Sequence, residues 1–450
     1  MYDRGPVAGS GVMIALRGRR QVGKSTLVEQ FRRSLASSIF FTAVRHQPPR
    51  TSIEEFSVAA SQSGVPTAQA AQGGFNDWEQ ALDLVTTGLD GPLVIVIDEF
   101  PWLLEMDRTI EGRLQRVWDR VLKDRPVMLV LIGSDLAMME ALTEYGRPLY
   151  DRARIVNVRP LSPAAVGELT GQRGPEAFEA WAITGGFPNL ALEWQPGQTL
   201  DDFLRDQLAD PGSRLIVSGE RKLAAEFPAD SGARIVLEAI GSGAREHKRI
   251  AARAGLPTSS LERALGQLVE KGAVAKEVAY STVGGRNTRY LVADAHLRFW
   301  LRFISTRLSM IERGATEQVL DDVRTGWSAW RGEAIEPIIR ESAFRLLVRW
   351  PEATDVAHVG QWWRRDHSMQ IDIVAGDRAP VANKIVAVGS IKWRDRERFS
   401  ARDAAELITG RTELPGGRDA LLIGCSATGF DADLPLDAMW QPNDLLDSWT

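Results

Sequence analysis

Cysteine is almost missing from this chain of 450 residues, and the one copy, Cys425, excludes an intramolecular disulfide framework and fits a reducing compartment. Long apolar runs are missing too. LVIVI at residues 93–97 and VMLVLI at 127–132 are far too short to span a bilayer, and the N-terminus lacks a basic-then-apolar signal pattern. A soluble cytoplasmic protein with no membrane contact is therefore expected. There is no strong charge of one sign: the net charge of -5 argues against wholesale polyanion binding, although it averages over local patches. No repeat and no low-complexity tract is visible. What remains is ordinary globular material, 44% apolar and 25% charged, and the length predicts three or four domains.

The first third carries the clearest chemistry. VMIALRGRRQVGKSTLVEQFRRSL holds the pattern G-x-x-x-x-G-K-[ST] in Gly18, Gly23, Lys24 and Ser25, between a short apolar strand and an amphipathic helix. Such a loop, Gly18-Arg19-Arg20-Gln21-Val22-Gly23-Lys24-Ser25-Thr26, wraps phosphates with backbone N–H groups at a helix N-terminus. Lys24 is expected to reach the β- and γ-phosphates of ATP, and the Ser25 hydroxyl to ligate Mg²⁺. LVIVIDEF then ends in Asp98, expected to hold the same Mg²⁺, and Glu99, placed to polarise an attacking water. The plain alternative for that acidic pair is a helix N-cap.

Further strands at 38–44, 127–134 and 154–162, alternating with helical patterns, predict an α/β fold with a parallel sheet covered on both faces. Ser134 ends its strand at the ligand-binding edge of such a sheet and suits a polar sensor of the γ-phosphate, or a simple strand-end cap. Arg152, ahead of Arg147 and Arg154, is the preferred source of charge for the phosphates, surface arginines being the alternative. After Leu161 the pattern becomes helical, with a Gly-Gly-Phe-Pro break at 185–188. Residues 250–254, a turn at 255–257 and a helix capped by Thr258 or Ser259 have helix-turn-helix proportions, and AKEVAY and TRYLV flank GGRN as a wing would. Residues 231–292 hold ten Lys or Arg against five Glu, a local +5. Arg253, Arg263, Arg286 and Arg289 are candidate contacts to the phosphates of double-stranded DNA, against the alternative of a rigid spacer or protein contact.

GRRQVGKST, VIDEFPWLL, LIGSDLAMME, PLYDR, GGFPNL and DAHLRFWLRFI together resemble the archaeal-type ATPases of the AAA+ and signal-transducing P-loop class. WRGEAIEPIIRE, VGQWWRRD, QIDIVAGD and VGSIKWR follow in the order of the domain often fused there, a restriction-endonuclease-like fold. The resemblance implies a P-loop ATPase core at 1–162, a helical lid at 163–228, a winged helix-turn-helix at 229–310 and an α/β nuclease-like domain at 320–450. Two departures stand out. Only MYDRGPVAGSG precedes the first strand, so either the start lies upstream or adenine is held differently. The family pattern also has a glutamate where this chain has Ser390.

A restriction-type site needs an aspartate and a second carboxylate for Mg²⁺, and a lysine to steady developing charge. Asp372 and Lys392 supply two members, and Glu336 is a candidate third; Ser390, on the same strand face as Lys392, and nearby Gln370 are neutral. A degenerate nuclease site is expected. Trp327, Trp330, Trp350, Trp362, Trp363 and Trp393 suit an aromatic core better than a base-stacking platform. The preferred reading is an ATP-hydrolysing switch coupled to DNA binding, in a regulatory, defence or toxin-control role. Its alternatives are an active metal-dependent nuclease and a nucleotide-bound scaffold. A protein partner and a homo-oligomer stay open.

Overall fold

The computed structural model describes residues 10–35, 37–65, 74–228, 230–285 and 287–450, and the chain divides into two compact units, residues 1–159 and 160–450. The first is built on five parallel strands: β1 (Val12–Arg17), β2 (Ser38–Thr42), β3 (Leu93–Asp98), β4 (Val127–Gly133) and β5 (Ala153–Asn157). They lie in the order β2-β3-β4-β1-β5. The apolar runs that cannot cross a bilayer form the middle of this sheet, and β3 is buried at every residue. Alternation splits its side chains between two cores: Ile95 and Ile97 pack with Phe41, Leu129 and Leu131, whereas Val94 and Val96 pack with Leu16, Val28 and Ile132. Among the described residues no helix is long and apolar enough to cross a membrane.

The second unit opens with helices Pro163–Thr170, Pro175–Thr184, Pro188–Ala191, Leu200–Ala209 and Arg214–Glu226. The Gly-Gly break ends one of them. Gly185 (φ 67°) is left-handed and lies so close to His296 that a Cβ would meet its backbone N at 2.8 Å. Helices Gly232–Gly241, His247–Ala254 and Thr258–Glu270 follow, then an antiparallel ribbon of β6 (Val274–Val278) and β7 (Thr288–Val292). Leu261, Ala264, Leu265 and Leu268 form the buried stripe of the third helix. Its N-cap differs from expectation. Pro257 occupies that position, Thr258 is the first helical residue, and no side chain caps the end.

Helix Thr316–Arg349 leads into a mixed sheet ordered β12-β11-β10-β9-β8, comprising β8 (His358–Trp363), β9 (Gln370–Gly376), β10 (Ile385–Lys392), β11 (Leu421–Ser426) and β12 (Ala438–Trp440). Strand β10 pairs antiparallel with β9 and parallel with β11. The tryptophans are core residues spread over several contacts. Trp327 packs on Phe299, Trp330 on Phe299 and Phe303, Trp393 on Phe178, and Trp350 on Trp440.

Candidate functional site

The end of β1 delivers the loop. At Gly18 a Cβ would meet Val158 O at 2.5 Å and Val22 Cγ1 at 3.0 Å, so the backbone passes where only glycine fits. Gln21 (φ 65°) and Gly23 (φ 94°) turn the chain left-handed before helix Lys24–Arg33 begins, and no side chain caps the first N–H groups of that helix. Val22 is buried beneath the turn, Arg19 is half-buried, and Arg20, Gln21, Ser25 and Thr26 are exposed. Lys24 is buried, and its Nζ donates to Gly18 O at 2.7 Å and Arg19 O at 3.0 Å. Burial pushes its pKa down; Glu99 and Asp98 oppose the shift and Arg20 adds to it.

Two acids meet this loop from β3 and the residue after it. Asp98 Oδ2 accepts from Ser25 Oγ at 2.8 Å, and Oδ1 from the Glu99 N–H at 2.9 Å. Glu99 is itself left-handed (φ 53°), a costly conformation for a residue with a side chain, and stands at the N-cap of helix Phe100–Met106. Its side chain makes no cap. Instead its carboxylate accepts from Ser134 Oγ at 3.2 and 3.0 Å. The other predicted contributor is committed differently: Arg152 Nε and Nη2 each donate to Asp119 at 2.8 Å, and its Nη1 donates to Pro148 O and Tyr150 O. Asp119 raises its pKa.

A second constellation lies in the other unit. Asp372 on β9 accepts at Oδ2 from the Ile391 N–H (2.8 Å) and Ser390 Oγ (3.3 Å), and at Oδ1 from Gln370 Nε2 (3.1 Å). Glu336 of helix Thr316–Arg349 comes beside it. Burial first and the Asp372 charge second push its carboxyl up to about 7, with Arg340 opposing. Arg340 reaches Glu336 at 3.4 Å and Glu277 of β6 at 3.1 Å. Lys392 does not join this group by an ion pair; its partner is Asp403, at 3.5 Å, whose carboxylate also takes both arms of Arg394 at 2.9 and 2.8 Å.

Two stretches of the chain match known families. Residues 8–193 match an ATPase domain predominantly from Archaea, and residues 300–405 match a family of archaeal and bacterial proteins of unknown function. An uncharacterized protein of Methanocaldococcus jannaschii is 24% identical over 393 residues, covering 85% of this chain and 83% of that one. A second from the same organism is 38% identical over 45 residues, 10% of this chain and 44% of that one. Among solved structures, the Walker-type ATPase of Pyrococcus abyssi is similar at 20% identity and TM-score 0.47, over 65% of this chain and 90% of that one. The ORC2 protein of Aeropyrum pernix is similar at 13% identity and TM-score 0.41, over 71% and 90%.

Of the predicted basic contacts, Arg253 and Arg263 are exposed on their helices. Arg286 and residues 1–9, which include most of the short leading segment, lie outside the described residues. Arg289 is half-buried and engaged: it donates to Gln370 Oε1 at 2.9 Å, bonds His367 Nδ1 at 2.8 Å and lies 4.4 Å over the Trp363 ring. The ribbon as a whole is docked on the mixed sheet. Tyr280 is buried, with its N–H donating to Gln361 O at 2.8 Å and its hydroxyl to Arg378 O at 2.5 Å. Sequence reasoning missed Glu277, Arg340 and Asp403. A signal existed for Asp403, because Ser400-x-x-Asp403 is a capping-box spacing and both its bonds form. For Arg340 the i,i+4 spacing from Glu336 on one helix was a signal, and for Glu277 there was none.

Proposed function

We propose that the chain is an ATP-hydrolysing switch, with residues 1–162 as the P-loop ATPase core, 163–228 as a helical lid, 229–310 as a DNA-binding winged helix-turn-helix and 320–450 as a degenerate nuclease-like domain. The observation that carries this reading is the bond between Ser25 Oγ and Asp98 Oδ2, 2.8 Å long, beside the Lys24 loop. These are two oxygens of the kind a hard cation takes, from a strand end and the first turn of a helix far apart in sequence. The residues therefore fit MgATP: the loop and Lys24 would hold the phosphates, and Ser25 and Asp98 the metal. The bound group would supply the phosphoryl electrophile and the charge neutralisation. The chain's own part is to position. Lys24 would exchange its two carbonyl partners for phosphate oxygens. Glu99 would take the proton of the attacking water, and Ser134 would hold the Glu99 carboxylate in place.

Phosphate release and nucleotide affinity test this directly. Lys24→Ala should abolish binding, and Glu99→Gln should keep binding and lose turnover. Steady release by both variants at the wild-type rate would overturn the reading.

A second reading, an ATP-dependent nuclease, is favoured by one observation: Arg340 Nη1 bridges the Glu336 carboxylate and the Asp372 carbonyl, at 3.4 Å from each, which brings the Glu336 and Asp372 residues together. That would return a second carboxylate to a site from which Ser390 omits one. Metal-dependent DNA cleavage separates the two readings.

A further inference from the structure

A cavity of about 240 Å³ opens between the end of helix Gly232–Gly241, strand β7, the segment around Arg298 and helix Thr316–Arg349. It shares no residue with the phosphate loop or with the Asp372 constellation. Its charged lining is Arg245, Arg298 and Arg302 against the one carboxylate of Glu333, which leaves two positive charges unmatched by the lining. Glu333 is itself taken, at 2.7 Å from Arg245 Nη2.

Arg298 is the informative member. It is only 6% exposed, its Nη1 donates to Ala334 O at 2.8 Å, and its Nε has no hydrogen-bond partner among the described residues. A buried guanidinium offers five N–H donors, and leaving one of them, the Nε–H, unused is costly. The acidic groups whose fields reach it, Asp294 and Glu277, are already paired with Lys222 and Arg340, at 3.0 and 3.1 Å. Packing alone is a poor reason to bury such a group here, since the space beside it is open and an aliphatic side chain would avoid the penalty. Arg302, one helical turn on, is exposed, and Trp330 gives the cavity an apolar wall.

From this lining we infer a binding site for a small phosphate monoester. A dianionic head matches the two unmatched charges, its oxygens accept from several guanidinium donors at once, and the few remaining atoms lie against Trp330. The volume is below the roughly 300–1,000 Å³ of sites for drug-sized ligands, which suits a small phosphate monoester better than a nucleoside triphosphate. The walls join helix Gly232–Gly241 and β7 to helix Thr316–Arg349, and an occupant would bridge them.

The test uses the full chain carrying Lys24→Ala, which removes the main phosphate cation of the loop. Equilibrium dialysis at constant ionic strength would follow radiolabelled ribose 5-phosphate and, separately, inorganic phosphate. One saturable site for ribose 5-phosphate is expected, weakened about tenfold or more by Arg302→Ala and by Arg298→Met, the usual scale for a lost charge-assisted bond. Arg302 is exposed, so its variant reports even where Arg298→Met fails to fold. No saturable binding up to about 10 mM, a concentration that would still detect a very weak complex, overturns the inference. So does binding that Arg302→Ala leaves unchanged.

Discussion

Ser134 Oγ donates to both carboxylate oxygens of Glu99, at 3.0 and 3.2 Å, across two neighbouring strand ends of the parallel sheet. The predicted phosphate sensor and the predicted base are therefore one hydrogen-bonded unit. Ser134→Ala should lower turnover about ten- to a hundredfold, the cost of one hydrogen bond to a charged group, and leave nucleotide affinity within about twofold. Steady-state rates beside a nucleotide titration distinguish this from a sensor that acts on binding, for which affinity would fall instead.

The proposed DNA surface is narrower than the basic composition of residues 231–292 suggests. Arg253 and Arg263 are exposed, whereas Arg289 is engaged with Gln370, His367 and Trp363. Replacing Arg253 and Arg263 together by Gln should weaken duplex DNA binding uniformly across sequences and flatten the salt slope by roughly 0.9 per lost phosphate contact. Arg289→Gln should leave that slope alone and lower the melting temperature. A slope that changes only with Arg289 would show that the ribbon undocks to bind.

At the Asp372 constellation the expected outcome is little or no cleavage of DNA or RNA with Mg²⁺ or Mn²⁺. Ser390 Oγ stands 3.3 Å from Asp372 Oδ2, so Ser390→Glu would put a carboxylate where a neutral oxygen now lies. Activity gained in Ser390→Glu and lost again on adding Asp372→Ala is the predicted pattern. Robust wild-type cleavage abolished by Glu336→Gln would favour the nuclease reading.

His296 sets an acid limit on the second unit. Its Nδ1 faces Ile183 O at 3.0 Å, which can only accept, so Nδ1 carries the proton and Nε2 accepts from Ser218 Oγ at 2.7 Å. Burial first and Lys222 second hold its pKa down at about 3, against an ordinary 6.5. The native ring stays neutral while the unfolded ring takes up a proton below about 6.5, so stability is intact above that pH and falls as pH drops toward 3. Denaturant titrations from pH 7 to 4 should show a loss on the order of a few kcal/mol from this group. His296→Gln should start less stable but have a flatter profile; an unchanged pH slope would assign the acid sensitivity elsewhere.

Sequence by itself determined the glycine loop after β1, the strands of the parallel sheet, the succession of helices His247–Ala254 and Thr258–Glu270, and the ribbon. Each is a contiguous pattern: the glycines of the loop, Gly18 and Gly23, the fully buried run of β3, the turn at Gly255 (φ 64°). Local backbone preference and apolar period write such features directly into neighbouring residues. Tertiary structure alone decided the partners of the long charged side chains. Arg152 is claimed by Asp119, Lys392 by Asp403, and Arg289 by a strand 81 positions away. A guanidinium or ammonium on a long flexible stem can reach many acceptors, and packing of distant elements selects one. The same holds for the unpartnered Nε of buried Arg298: it arises where helix Thr316–Arg349 packs on a segment remote in sequence, and no local spacing encodes that crossing.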